Sequence, residues 1–129
     1  MKRKLIHTSN APGAVGTYNQ AVQANGLLFT SGQVGIVPAT GEMIEGGTSA
    51  ETLQALKNIG SILKEAGSSL SDIMKLTVYS VDMGEVPLVK QAFQTFFGDF
   101  DFPARSTVEV SALPVGARVE IDCGAIAGE

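Results

Sequence analysis

Phe102-Pro103-Ala104-Arg105-Ser106-Thr107-Val108-Glu109-Val110 runs into a turn at Leu113-Pro114-Val115-Gly116 and continues as Arg118-Val119-Glu120-Ile121-Asp122. Both arms alternate in polarity. Val108 and Val110 share one face of the first, and Val119, Ile121 and Cys123 share one face of the second. Alternation on both sides of a Pro-Gly turn predicts two adjacent, half-buried strands. The charged residues between the apolar ones carry the chemical interest. Arg105 opens the first arm and Glu120 sits inside the second. Two readings fit that spacing: an ion pair on a solvated sheet face, or a guanidinium and a carboxylate that together hold a small carboxylic acid and a water.

The flanking sequence supplies the rest of a small sheet. Lys4 to Thr8 reads as an edge strand, and Asn10 to Thr17 is a loop marked by Pro12, Gly13 and Gly16. Tyr18 follows, as a packing ring or a pocket wall. Asn25-Gly26 stands between two β-favouring runs, Gln20 to Ala24 and Leu27 to Ser31. Both turn positions accept positive φ, so this is a hairpin. Ser31-Gly32 then fits either a plain bend or a close approach of backbone to a ligand. Pro38 and Thr40-Gly41 mark a further turn, and Gly46-Gly47 closes that loop.

Two helices follow. Thr48 with Glu51 has the form of a capping box. Leu53, Leu56, Ile59 and Leu63 recur at helical spacing, predicting an amphipathic helix of about 18 residues that stops at Gly67. Gly60 inside it costs about 1 kcal/mol against Ala, which points to close packing there. Ile73 to Val81 is rich in β-formers and reads as a strand. The second helix spans Glu85 or Val86 to Phe97, with Pro87 in its first turn. Its apolar face is Val86, Val89, Phe93, Phe96 and Phe97, and Gly98 ends it. Strands plus two helices in 129 residues give one α+β domain, 1–129, with about six strands and both helices packed on one sheet face. The other face is left uncovered. It is expected to carry Glu120 with Arg105 or Thr107 and to drive oligomerisation.

Composition narrows the function. Net charge is −4, and the only basic run is Lys2-Arg3-Lys4, so the balance argues against a nucleic-acid partner. Charged residues are 17% of the chain, below the usual quarter or so, which also suggests surface covered by other subunits. Cys123 is the only cysteine and His7 the only histidine. Neither an internal disulfide nor a cysteine metal set is available, and Cys123 falls on the apolar face of its strand. With no long apolar run and no signal-peptide core, the expectation is a cytoplasmic protein with no membrane association.

Several short motifs stand in order along the chain: Asn10-Ala11-Pro12 with Tyr18, Thr30-Ser31-Gly32-Gln33, Pro38-Ala39-Thr40-Gly41, Phe96-Phe97, Phe102-Pro103-Ala104-Arg105-Ser106, Val108-Glu109-Val110, Leu113-Pro114 and Val119-Glu120-Ile121. In this the chain resembles, from end to end, the reactive intermediate deaminase (RidA, YjgF-type) family. The resemblance implies a fold like the trimeric type of chorismate mutase, and a homotrimer with its clefts between neighbouring subunits. It implies hydrolysis of 2-imino acids, or enamines such as 2-aminoacrylate, to 2-keto acids and ammonia without metal or organic cofactor. On this resemblance Arg105 grips the substrate carboxylate and Glu120 positions the attacking water. Tyr18, Ser31, Gly32 and Thr107 line the cleft. Position 107 is Thr where many relatives have Cys, and Lys90 stands near where many carry a pocket Asn. The alternative is a non-catalytic trimer that binds keto acids or other small carboxylates.

Overall fold

The computed structural model describes residues 2–128. In chain order its elements are β1 (Lys4–Ile6), β2 (Ala21–Ala24), β3 (Leu27–Thr30), β4 (Ile36–Val37), β5 (Glu42–Met43), α1 (Gly47–Glu65), β6 (Ile73–Ser80), α2 (Val86–Phe97), β7 (Ala104–Glu109) and β8 (Val119–Ile126). Asn25 and Gly26 take φ of 54° and 78°, so β2 and β3 join through the expected left-handed turn. The main sheet has six strands in the order β1-β2-β3-β8-β6-β7. All neighbours are antiparallel except β6 and β7, which α2 joins in parallel. β4 and β5 form a separate small ladder.

Both helices pack on one face of the main sheet. Leu56, Ile59, Ile62 and Leu63 of α1 and Val89, Phe93 and Phe97 of α2 meet Leu28, Leu76, Val78, Val119, Ile121 and Cys123 in one buried cluster. Each such side chain contributes about 1.5–3 kcal/mol by leaving water. Gly35 lets α1 approach, since a Cβ there would lie 2.8 Å from Glu51 Cα. Gly60 faces Phe96 and Leu70 at ordinary contact distances of 3.7 and 3.8 Å from a built Cβ. The close packing expected of it is therefore not required.

Three expectations need correction. The two arms of the opening stretch are not neighbours, because β6 lies between β7 and β8. The βαβ crossover docks β7 beside β6, and the segment after Val110 carries the chain over the end of β6 to its other side. That segment is held by Val110 N–H to Ser80 O at 2.8 Å and Val81 N–H to Arg118 O at 3.2 Å. The first arm is also not half-buried: β7 is an edge strand with most of its residues exposed. Finally, Thr48 and Glu51 form no capping box. Gly46, at φ 121°, is the N-cap residue, so the helix begins before Thr48, and both side chains serve tertiary links. Thr48 Oγ1 donates to Glu85 Oε1 at 2.5 Å. Glu51 Oε1 accepts from Arg118 N–H at 2.8 Å. Arg118 closes the cluster on Glu85, with Nη2 at 2.7 Å, tying the starts of α1, α2 and β8 together. The Thr48 and Arg118 hydrogen bonds pull the Glu85 carboxyl below its usual range.

Candidate functional site

Arg105 is the second residue of β7 and stands in register with Leu76 of β6. Residues in register share a face, and Leu76 points into the core, so Arg105 projects to the helix side. There its guanidinium carbon lies 5.0 Å from the Phe93 ring centroid, a cation–π distance. Phe93 leans on Phe97, which meets Phe102 edge-on with centroids 5.8 Å apart. Phe93 and Phe97 of α2 build this aromatic floor together with Phe102 from the segment before β7. Above it opens a cavity of about 310 Å³ lined by Lys90, Phe93, Gln94, Phe102, Pro103 and Arg105. Among the described residues Arg105 has no carboxylate partner. Thr107, two residues along the same face, is partly buried.

Glu120 stands on the opposite face. It pairs across from Tyr79 and is half-buried against Gly32, where a Cβ would lie 2.7 Å from its carboxyl carbon. The contact arises because Gln33 and Ile121 exchange backbone hydrogen bonds of 2.8 and 2.9 Å, bringing Gly32 over β8. Burial, and secondarily the Asp122 charge, raise the Glu120 pKa above the usual carboxyl range. Asp122 itself accepts from the Tyr79 hydroxyl at 3.2 Å. Ser31 adjoins Gly32, and its Oγ donates to Asn19 O at 2.6 Å. Tyr18, next to Asn19, is 48% exposed, and its hydroxyl accepts weakly from Val15 N–H at 3.4 Å.

The structure thus divides the expected site residues into two groups. Glu120 with Gly32 against it, Ser31 next to Gly32, and Tyr18 beside the Asn19 that Ser31 bonds form one group. Arg105 and Thr107 form the other, on the helix side of the sheet with Lys90 and Phe93. The expectation that Arg105 or Thr107 shares the uncovered face with Glu120 is wrong, because the β6–β7 register turns both toward the helices. Sequence reasoning also missed Gln20, which is 1% exposed. Its amide accepts from Thr8 N–H at 2.7 Å and donates to Thr8 O and Pro12 O at 3.0 and 2.8 Å, fixing the loop that presents Tyr18. A polar residue immediately before the buried Ala21 was the available signal. Cys123 is buried, and its thiol is pushed up to about 12, chiefly by desolvation. Burial thus disfavours the thiolate that a nucleophile needs. No cluster of metal-ligating side chains occurs among the described residues.

The six-stranded mixed sheet with its two helices is a fold shared with solved structures. A Rid family protein from Yersinia pestis is 43% identical, with a TM-score of 0.94 covering 98% of this chain and 100% of that one. The YjgF protein of E. coli is 38% identical, with a TM-score of 0.91 over 95% and 98%. Among named relatives, the 2-iminobutanoate/2-iminopropanoate deaminases of Mus musculus and Homo sapiens are 44% and 42% identical. Each covers 98% of this chain, and the matches take in 93% and 91% of their own lengths. The family model described as Endoribonuclease L-PSP matches residues 8–127, and the chain belongs to that family, the RidA/YjgF family anticipated from its motifs.

Proposed function

We propose that this chain is an imine deaminase: it hydrolyses 2-imino acids, and enamines such as 2-aminoacrylate, to 2-keto acids and ammonia, limiting damage by these reactive metabolites. The observation that carries the reading is the unpaired Arg105 guanidinium above Phe93 at the mouth of a cavity. A planar fork of donors on an aromatic floor suits a planar carboxylate. The reaction adds water to the C=NH₂⁺ carbon and expels NH₄⁺, leaving the ketone. The iminium is already electrophilic, so orientation of the water is the main demand. Glu120 meets it, with a carboxyl whose raised pKa brings it closer to the range useful for moving a proton. Tyr18, Ser31, Gly32 and Thr107 line the cleft around both groups.

Arg105 and Glu120 lie on opposite sheet faces of one chain, so a site that uses both needs two copies. We read the enzyme as a homotrimer in which Arg105 of one subunit faces Glu120 of its neighbour. The uncovered sheet face supports this, since it leaves Phe29 61% and Ile126 50% exposed, an apolar patch suited to a partner surface. No helix is long and apolar enough to cross a membrane among the described residues. The single buried thiol fits a reducing compartment, and we assign the enzyme to the cytoplasm.

The test couples an amino-acid oxidase to semicarbazide trapping of the free imine. Wild type should suppress semicarbazone formation, and Arg105→Ala should not while remaining assembled. Equal suppression by Arg105→Ala overturns the assignment. Failure of the wild type on several imines, with keto acids still bound, would instead make this a carboxylate-binding trimer.

A further inference from the structure

The cavity that holds Arg105 contains a second cation that the deaminase reaction does not use. Lys90 lines it one helical turn before Phe93, and residues at that spacing have Cβ atoms about 5–6 Å apart. Arg105 lies 5.0 Å over the same Phe93 ring, so two positively charged residues line one cavity with that ring. The remaining lining is Gln94, Phe102 and Pro103, which brings no carboxylate. Among the described residues, Lys90 has no ion-pair partner. One cation is enough for a 2-imino monocarboxylate. The second is uncompensated, and like charges in one cavity repel. A ligand with a second negative group would relieve that repulsion and gain a charge-assisted bond.

Resting on the deaminase reading, we infer that Lys90 sets side-chain preference and that the cavity favours small 2-imino acids bearing a second carboxylate. Arg105 takes the carboxylate next to the imine carbon. Lys90 takes the distal one, with the Gln94 amide beside it. Hydrolysis proceeds as before, with water added at the imine carbon and NH₄⁺ released, so Lys90 touches substrate without entering the chemistry.

The experiment compares kcat/KM for 2-iminosuccinate and 2-iminoglutarate, generated by oxidases from aspartate and glutamate, with that for 2-iminobutanoate. Wild type, Lys90→Gln and Lys90→Arg are measured, with assembly checked by sedimentation. A charged hydrogen bond is worth about 10–100-fold. The dicarboxylate-to-monocarboxylate ratio should fall by that factor in Lys90→Gln, mainly through KM, and should be largely restored in Lys90→Arg. An unchanged ratio in Lys90→Gln, or equal loss on all substrates, overturns the inference while 2-iminobutanoate turnover by wild type upholds the deaminase reading. Absence of turnover on every imine overturns both.

Discussion

The two faces of β8 differ as sharply as two surfaces of one strand can. On the helix side Val119, Ile121 and Ala125 are fully buried and Cys123 nearly so. On the other side Glu120, Asp122 and Gly124 are only half-covered and Ile126 is exposed. The first face has its partners within the chain. The second carries a half-desolvated carboxylate at one end and exposed Phe29 and Ile126 at the other, a combination unfavourable in water and suited to an interface. Arg105 belongs by register to the covered face, yet it stands at the open edge where the covering ends. On the reading proposed above, each face holds half of the site and the halves meet between copies.

The largest expected effect tests that division directly. Arg105→Ala and Glu120→Gln should each lose at least about a hundredfold in activity, since an arginine–carboxylate bond and the water-orienting group are removed separately. Mixed under conditions of subunit exchange, the two inactive variants should recover roughly a quarter of wild-type activity. In a ring of head-to-tail interfaces, that is the random share of contacts with both groups intact. Complete failure to recover would put Arg105 and Glu120 in the same copy's site and overturn the two-copy arrangement.

Next come substitutions on the two faces of the sheet. Ile121→Ala removes a fully buried side chain and should cost about 2–5 kcal/mol in urea unfolding. Phe29→Asp, on the uncovered face, should leave secondary structure intact by circular dichroism but shift sedimentation from oligomer to monomer. Should Phe29→Asp remain assembled, another surface holds the copies together.

How much of this was legible in the sequence follows the same division. The Asn25-Gly26 hairpin, α1, α2 and β6 could be read because turn chemistry and apolar periodicity are local. The separation of β7 from β8 by β6 could not. It is set by α2 carrying β7 to the far side of β6, a nonlocal event that leaves no mark in the two arms. The facing of Arg105 failed for a related reason. Val108 implied an inward side, but β7 is an edge strand and Val108 is 43% exposed, so alternation there does not report which side is covered. Arg105, Glu120, Tyr18, Ser31, Gly32 and Thr107 were nameable from motif resemblance. Their split into two groups, and the anchoring by Gln20, required the register.

A smaller effect probes the fit of Gly32 to Glu120. In Gly32→Ala the new methyl would collide with the Glu120 carboxyl group, which is the free end of a flexible side chain and can swing aside. Stability should therefore change little, while activity falls about 10–100-fold because the carboxylate no longer holds its position. A variant with unchanged kcat/KM would mean that Glu120 is not held by this contact when the enzyme works.

The smallest effect concerns the charge on Glu120. Its pKa is raised by desolvation and then by Asp122, so the folded chain holds the proton more tightly than the unfolded one. That contribution is fully present below about pH 4.3, the ordinary Glu value, and is lost as pH rises through the folded value. Glu120→Gln should therefore match its parent in acid and become slightly more stable toward neutrality. Partial exposure screens the difference to roughly 0.5 kcal/mol or less. The comparison belongs in the Arg105→Ala background, where no guanidinium from a neighbouring copy offsets the carboxylate. Repeating it with Arg105 present sharpens the contrast between the faces. If the neighbour's arginine comes close to Glu120, the gain should shrink or reverse. An identical pH dependence in both backgrounds would mean that the two charges do not sense each other across the interface.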